Sequence, residues 1–142
     1  MKLNADFVDK LRNSGLRPTK QRLKICELLF DTEKTFHFTI NDLSKILSEK
    51  ISEKISLATV YNTILAFKKK GYLKEISINS DKSYFDTNTS AHHHFYDEDT
   101  HELIDCHQND IDSINIKNNV TGKKVKSVEV LIKVASDNQN QN

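Results

Sequence analysis

Cysteine is scarce. Cys26 and Cys106 are too few for a disulfide framework or for a zinc site built from four thiolates. Pro18 is the only proline and the glycines number three, with no glycine-rich run of the kind that cradles phosphates. No stretch reaches the roughly 18 consecutive apolar residues of a membrane span. The first residues mix Lys2, Asp6, Asp9 and Lys10 rather than running from charged to apolar, so no export signal is read there. A soluble, cytoplasmic protein without a membrane partner is expected. No nucleophile–base pair suggests itself, and Cys106 beside His107 reads as the end of a strand, so an enzyme is not expected.

What is present is an asymmetry of charge. Residues 1–75 carry 15 Lys+Arg against 9 Asp+Glu, a balance of +6; residues 76–142 carry 6 against 11, a balance of −5. Either a polyanion-binding part is joined to a cation- or partner-binding part, or the surface simply varies along the chain. Charge alone does not choose between them.

The spacing of apolar residues does more. Leu3, Phe7, Val8 and Leu11 fall on one face of a helix that Gly15 can end. Thr19 reads as the N-cap of a second helix, and Thr39 followed by Asp42 as the capping box of a third. A fourth begins after Ser56, carries Val60, Ile64 and Phe67 inward, and stops at Gly71. The period then changes to two, with Ile76 and Ile78, a turn over residues 79–82, and a return through Tyr84 and Phe85. Helices followed by a hairpin is the order of a winged helix-turn-helix, a fold that serves DNA binding and protein interaction alike. Further strands are expected at 102–106, 113–117 and 125–134, and a polar tail follows. The expected class is α+β: a winged helix over 1–86, a small α/β dimerisation domain over 87–136, and a disordered tail over 137–142.

Two groups of residues carry chemistry. Arg17, Lys20, Arg22 and Lys24 cluster at the second helix and Lys68–Lys70 close the fourth; such charges attract phosphates without reading sequence. Ala58, Thr59, Tyr61 and Asn62 sit near the start of the fourth helix, where a recognition helix meets base edges. The second group is acidic and rich in imidazole. Five of the six histidines lie in 92–107, and eight acids lie in 86–112. Along extended chain His92 and His94 point the same way and can share one metal, while His93 points to the opposite face. Imidazole with carboxylate suits Fe, Mn, Zn or Ni, and the lack of thiolates argues against Cu(I) and iron–sulfur clusters.

Gly15-Leu-Arg-Pro-Thr-Lys-Gln-Arg22, Phe36-His-Phe-Thr-Ile-Asn-Asp-Leu43, Ser56-Leu-Ala-Thr-Val-Tyr-Asn-Thr63 and His92-His-His94 resemble, in order and spacing, the signature segments of the ferric uptake regulator (Fur) family. The resemblance runs over about residues 3–134. It implies a winged helix joined to a dimerisation domain, a homodimer on an AT-rich palindromic duplex, and metal sites near the hinge. By the same resemblance Arg17 enters the minor groove, Tyr61 contacts bases, and His37, Asp86 and Asp105 join the histidines as ligands. Asn62 stands where the family usually has Arg. The family's first structural-zinc cysteine pair is replaced by Asp97 and Thr100, its late histidine by Val128, and its helix after Asp112 is shortened. The runs 92–105 and 122–134 look like the iron response regulator (Irr) branch, which implies haem as well as Fe2+ as a candidate ligand at His92, His93 and His94. The expected function is an iron- or haem-responsive DNA-binding regulator of iron-uptake and iron-utilisation genes. The alternatives are a zinc-, manganese- or peroxide-responsive relative, and a metal- or haem-binding interaction module that never touches DNA.

Overall fold

The computed structural model of the chain describes residues 2–52, 54–107 and 109–137, with the backbone alone for 2–4. All of the tail expected over 137–142 except Asp137, and the side chain of Leu3, therefore lie outside the described residues. The chain divides into two compact units, Met1–Thr89 and Ser90–Asn142.

In the first unit, helices α1 (Lys2–Asn13), α2 (Lys20–Phe30), α3 (Ile40–Lys50) and α4 (Leu57–Lys70) surround one apolar core, with strand β1 (His37–Phe38) between α2 and α3. The helix starts are fixed by local hydrogen bonds. The Thr19 hydroxyl accepts from the N–H of Arg22, and the Ser56 hydroxyl from that of Thr59. Thr39 and Asp42 form the reciprocal capping box, each side chain accepting from the other's N–H. Each cap satisfies a donor that the helix cannot pair itself and contributes about 1 kcal/mol. Gly71, at φ 92°, ends α4 in the left-handed region that a side chain disfavours.

Leu11, Ile25, Leu29, Leu43, Ile64 and Phe67 are fully enclosed. Each such side chain contributes roughly 1.5–3 kcal/mol on burial. Phe67 meets Phe30 edge-on at 5.5 Å between centroids. The Lys10 ammonium sits 4.3 Å from the Phe30 ring and 4.5 Å from that of Tyr72, which pins α1 to the start of the wing. The wing itself is β2 (Lys74–Ser77) and β3 (Ser83–Asp86), antiparallel, with β1 added on the other edge of β3 to give the order β1-β3-β2.

The second unit is a three-stranded sheet of order β5-β4-β6. Strands β4 (His94–Asp97) and β5 (Glu102–Asp105) form an antiparallel hairpin, and β6 (Leu131–Val134) lies parallel to β4. Two strand expectations are corrected here. Residues 113–117 form no strand, and the alternating run over 125–134 is a strand only at its last four residues. Residues 111–130 are neither helix nor strand, so the shortened helix expected after Asp112 is absent. The reason is physical: a period of two organises a strand only where a neighbouring strand offers hydrogen bonds, and within this chain that neighbour is β4, which is four residues long.

Candidate metal centre

His94 opens β4 and Asp105 closes β5, and the two are register partners, so their side chains leave the sheet on one face. His94 Nε2 lies 3.1 Å from Asp105 Oδ1. His92 Nε2 lies 3.4 Å from the same oxygen, and the two imidazole rings are 4.2 Å apart between centroids. The ligand-bearing atoms of all three residues fall within 4.8 Å of one another. His94 is buried, His92 nearly so, and the Asp105 side chain is half exposed, which leaves a way in for an ion.

The backbone sets which nitrogen of His92 faces the cluster. Its Nδ1 lies 2.7 Å from the carbonyl oxygen of Ser90. A carbonyl only accepts, so Nδ1 carries a proton and Nε2 is the nitrogen turned to the Asp105 carboxylate. A cation between Nε2 and that oxygen would be held by both, and an outer carbonyl orienting a histidine is the usual support of a metal ligand. His93 is turned elsewhere: its Nδ1 accepts from the Val130 N–H at 2.9 Å.

In the first unit, Asp86 is buried to 1% exposure at the end of β3, its Oδ1 accepting from the Asn88 N–H at 2.9 Å. His37, half-buried on β1, is its register partner and meets the Tyr84 ring edge-on. Neither cysteine offers a thiolate. Burial pushes Cys26 up to about 12, and burial, then the carboxylates of Asp110 and Asp105, raise Cys106.

On α4, Ala58, Tyr61 and Asn62 are exposed and Thr59 half-buried, while Val60, Thr63, Ile64 and Phe67 face the core. Tyr61 at 49% and Leu57 at 53% exposure are large apolar groups left on the surface of a packed helix. Arg17 and Lys20 are exposed. Arg22 differs from its sequence expectation in one respect: its guanidinium donates to the Arg17 carbonyl at 3.0 Å, so it shapes the loop that carries Arg17. Lys68, likewise, is paired with Glu75 of the wing at 2.8 Å, while Lys69 and Lys70 stay exposed.

Residues 13–134 match the ferric uptake regulator family. The chain is 34% identical over 121 residues to the peroxide operon regulator of Bacillus subtilis, spanning 84% of this chain and 81% of that protein. It is 34% identical over 109 residues to a peroxide-responsive repressor of Staphylococcus epidermidis, spanning 77% and 71%. In fold it matches the ferric uptake regulator of Vibrio cholerae with a TM-score of 0.67 at 24% identity, over 91% of this chain and 98% of that one. The chain belongs to the ferric uptake regulator family.

Members of the ferric uptake regulator family are metal-responsive transcription regulators, and the α+β class read from the sequence is the class of the family fold. The narrower resemblance to the iron response branch gains nothing from these relatives, whose names are those of peroxide regulators. Haem gains nothing either. The Asp105 carboxylate stands within 3.4 Å of both imidazoles, a neighbour that suits a bare ion. Where the family resemblance leads one to look for a zinc-binding cysteine pair, this chain has its own fastening. The Asp97 carboxylate accepts from the N–H groups of Asp99 and Thr100, and the Asp99 carboxylate accepts from the N–H and hydroxyl of Ser136.

The groups that sequence reasoning missed are mainly backbone groups: the Ser90 carbonyl behind His92 and the Val130 N–H on His93. No residue type signals them. The Glu75 partner of Lys68 was missed for another reason, since seven residues and a change of element separate the two.

Proposed function

We propose that this chain is a homodimeric DNA-binding regulator whose affinity for its operator is set by a divalent ion, ferrous iron foremost, held by His92, His94 and Asp105 with Asp86 and His37. The observation that carries the reading is the convergence of two imidazole Nε2 atoms on one carboxylate oxygen, at 3.1 and 3.4 Å. Three imidazoles and two carboxylates form a nitrogen and oxygen donor set of the kind that suits Fe, Mn or Zn as the bare ion. Asp86 is supported as a ligand by its burial and by its place six residues before His92; His37 is supported by standing opposite it in the sheet. His93 is left out of the set.

The DNA reading is supported by the exposed apolar and amide groups on the first turns of α4 and by Arg17 with Lys20, Lys69 and Lys70. A palindromic duplex follows from a dimer of such heads, and AT-richness is what the family resemblance implies. The dimer is supported by the exposed apolar residues Ile114, Ile116, Val120, Val125 and Val128, all in the irregular stretch that precedes β6. An ion that prefers one arrangement of the dimer shifts DNA affinity by its difference in affinity for the two arrangements, and by no more.

The test is anisotropy of a labelled AT-rich palindrome with Fe(II), Mn(II) or Zn(II), before and after chelation. Metal is expected to change the affinity by about tenfold or more, and His92→Ala with His94→Ala to abolish the change. An affinity indifferent to every metal would end this reading. Peroxide sensing is a second reading, favoured by the names of the two curated relatives. It predicts that hydrogen peroxide alters DNA binding of the Fe(II) form and leaves the Zn(II) form as it was, because only iron can pass an electron to the peroxide.

A further inference from the structure

The middle histidine of the triplet has a different task from its neighbours. Its Nδ1 accepts from the Val130 N–H at 2.9 Å, so that lone pair is taken and the neutral ring carries its proton on Nε2. A ring in that state has no lone pair to give a metal. His92 instead gives its Nδ1 proton to the Ser90 carbonyl, which turns its Nε2 to the Asp105 carboxylate. Two adjacent imidazoles are thus assigned opposite roles by the backbone groups they meet.

Those groups have a location. Val130 is the last residue before β6, and residues 111–129, which precede it, are neither helix nor strand. Both of its backbone polar groups are taken by consecutive residues: the N–H by the His93 ring and the C=O by the His94 N–H at 3.0 Å. The His93 carbonyl in turn accepts from the Cys106 N–H at 3.0 Å, just past β5. Residue 93 therefore ties β6 on one side and the end of β5 on the other. Strand β6 pairs with β4 alone among the described strands, so its register depends on how its entry is fastened.

We infer that His93 is a positioning residue and not a ligand: its ring locks the entry of β6 onto the segment that carries the metal-binding imidazoles, so that occupancy of the site stiffens β6. The inference rests on the metal reading given above for its second half only. The anchoring itself stands on the Val130 contact.

The experiment uses full-length protein and Mn(II) as probe, with hydrogen exchange measured over Val130–Val134 and metal affinity by competition with a chromogenic chelator. His93→Asn places an amide oxygen near the former Nδ1, where it accepts from Val130, and offers a poor ligand; His93→Ala offers neither. The Asn variant is expected to bind Mn(II) within about threefold of wild type and to keep the rise in protection on metal addition, since neither ligand nor anchor is lost. The Ala variant is expected to exchange about fivefold faster at these amides, the equivalent of one lost hydrogen bond, and to lose the metal-dependent rise. His92→Ala serves as the ligand control, with affinity down by about 100-fold. A His93→Asn variant that loses Mn(II) as fully as His92→Ala would overturn the inference, as would unchanged exchange in His93→Ala. If wild type bound no Mn(II), the metal reading would fall, and the exchange rates of His93→Ala against wild type would still decide whether His93 anchors β6.

Discussion

His37 and Asp86 stand directly opposite each other in the β1–β3 ladder, so an imidazole and an almost wholly buried carboxylate share one face of the wing sheet. A carboxylate at 1% exposure needs compensation, and the Asn88 N–H supplies one hydrogen bond. Asp86→Asn keeps the shape and an oxygen for Asn88 and removes the charge. Mn(II) affinity is expected to fall by about tenfold or more while the far-ultraviolet spectrum stays that of wild type. An unaltered affinity in a chelator competition would remove Asp86 from the ligand set.

Tyr61 is half exposed, so its loss should cost recognition and spare the fold. Tyr61→Ala is expected to weaken binding to an operator duplex by about tenfold and to shift Tm by no more than about 2 °C. Anisotropy and a melting curve on the same preparation check both. A large drop in Tm would mean that the ring packs a core and reads no base.

The lysine triplet ending α4 should not act as three equal charges. Lys68 already faces Glu75 at 2.8 Å across the start of the wing. Substituting Lys69 or Lys70 by Ala is expected to lower the slope of log affinity against log salt by roughly 1 each. Lys68→Ala should lower it by less. Equal effects at all three positions would show that the Glu75 pair opens on DNA.

Ser136 holds the Asp99 carboxyl below the usual carboxylate range, first through its hydroxyl and then through its N–H. The sign follows from linkage: a carboxylate whose acidity is raised by folding supports the fold above its unfolded pKa, and that support fades as pH falls through the folded value. Protection of the β6 amides is therefore expected to hold near neutrality and to weaken on acidification. Ser136→Ala should return Asp99 toward the ordinary range in a carbon-detected titration. An Asp99 titration identical in the two proteins would discard the fastening.

Legibility tracked distance along the chain. Thr19, Thr39, Ser56 and Gly71 act within one turn of themselves, and each end they mark was readable from its neighbours alone. The hairpin over 74–86 was readable for the same reason. The 125–134 run was readable only in part, because a parallel partner cannot be inferred from alternation. Within the site, His92 and His94 emerge from the spacing, whereas Asp86, Asp105 and His37 came by resemblance. That His93 faces away from its two neighbours was readable from alternation, whereas the group it meets there was not. That group is a backbone N–H 37 residues away.

His94 pairs with Asp105, the last residue of β5, and with Leu131, the first of β6, so the chain leaves β5 and enters β6 at the same end of the sheet and has to cross β4 between them. Residues 109–130 lie within that crossing, rich in Asn and Lys and pinned at Val130 and beyond. A tag or a few added residues near Asn118–Gly122 would leave the joints on either side in place and fall among the apolar residues of the proposed dimer contact, Val120 among them, so the dimer is expected to weaken before the fold does. The same stretch is then where a protease should cut first in the monomer, and where pairing of two copies should slow the cut.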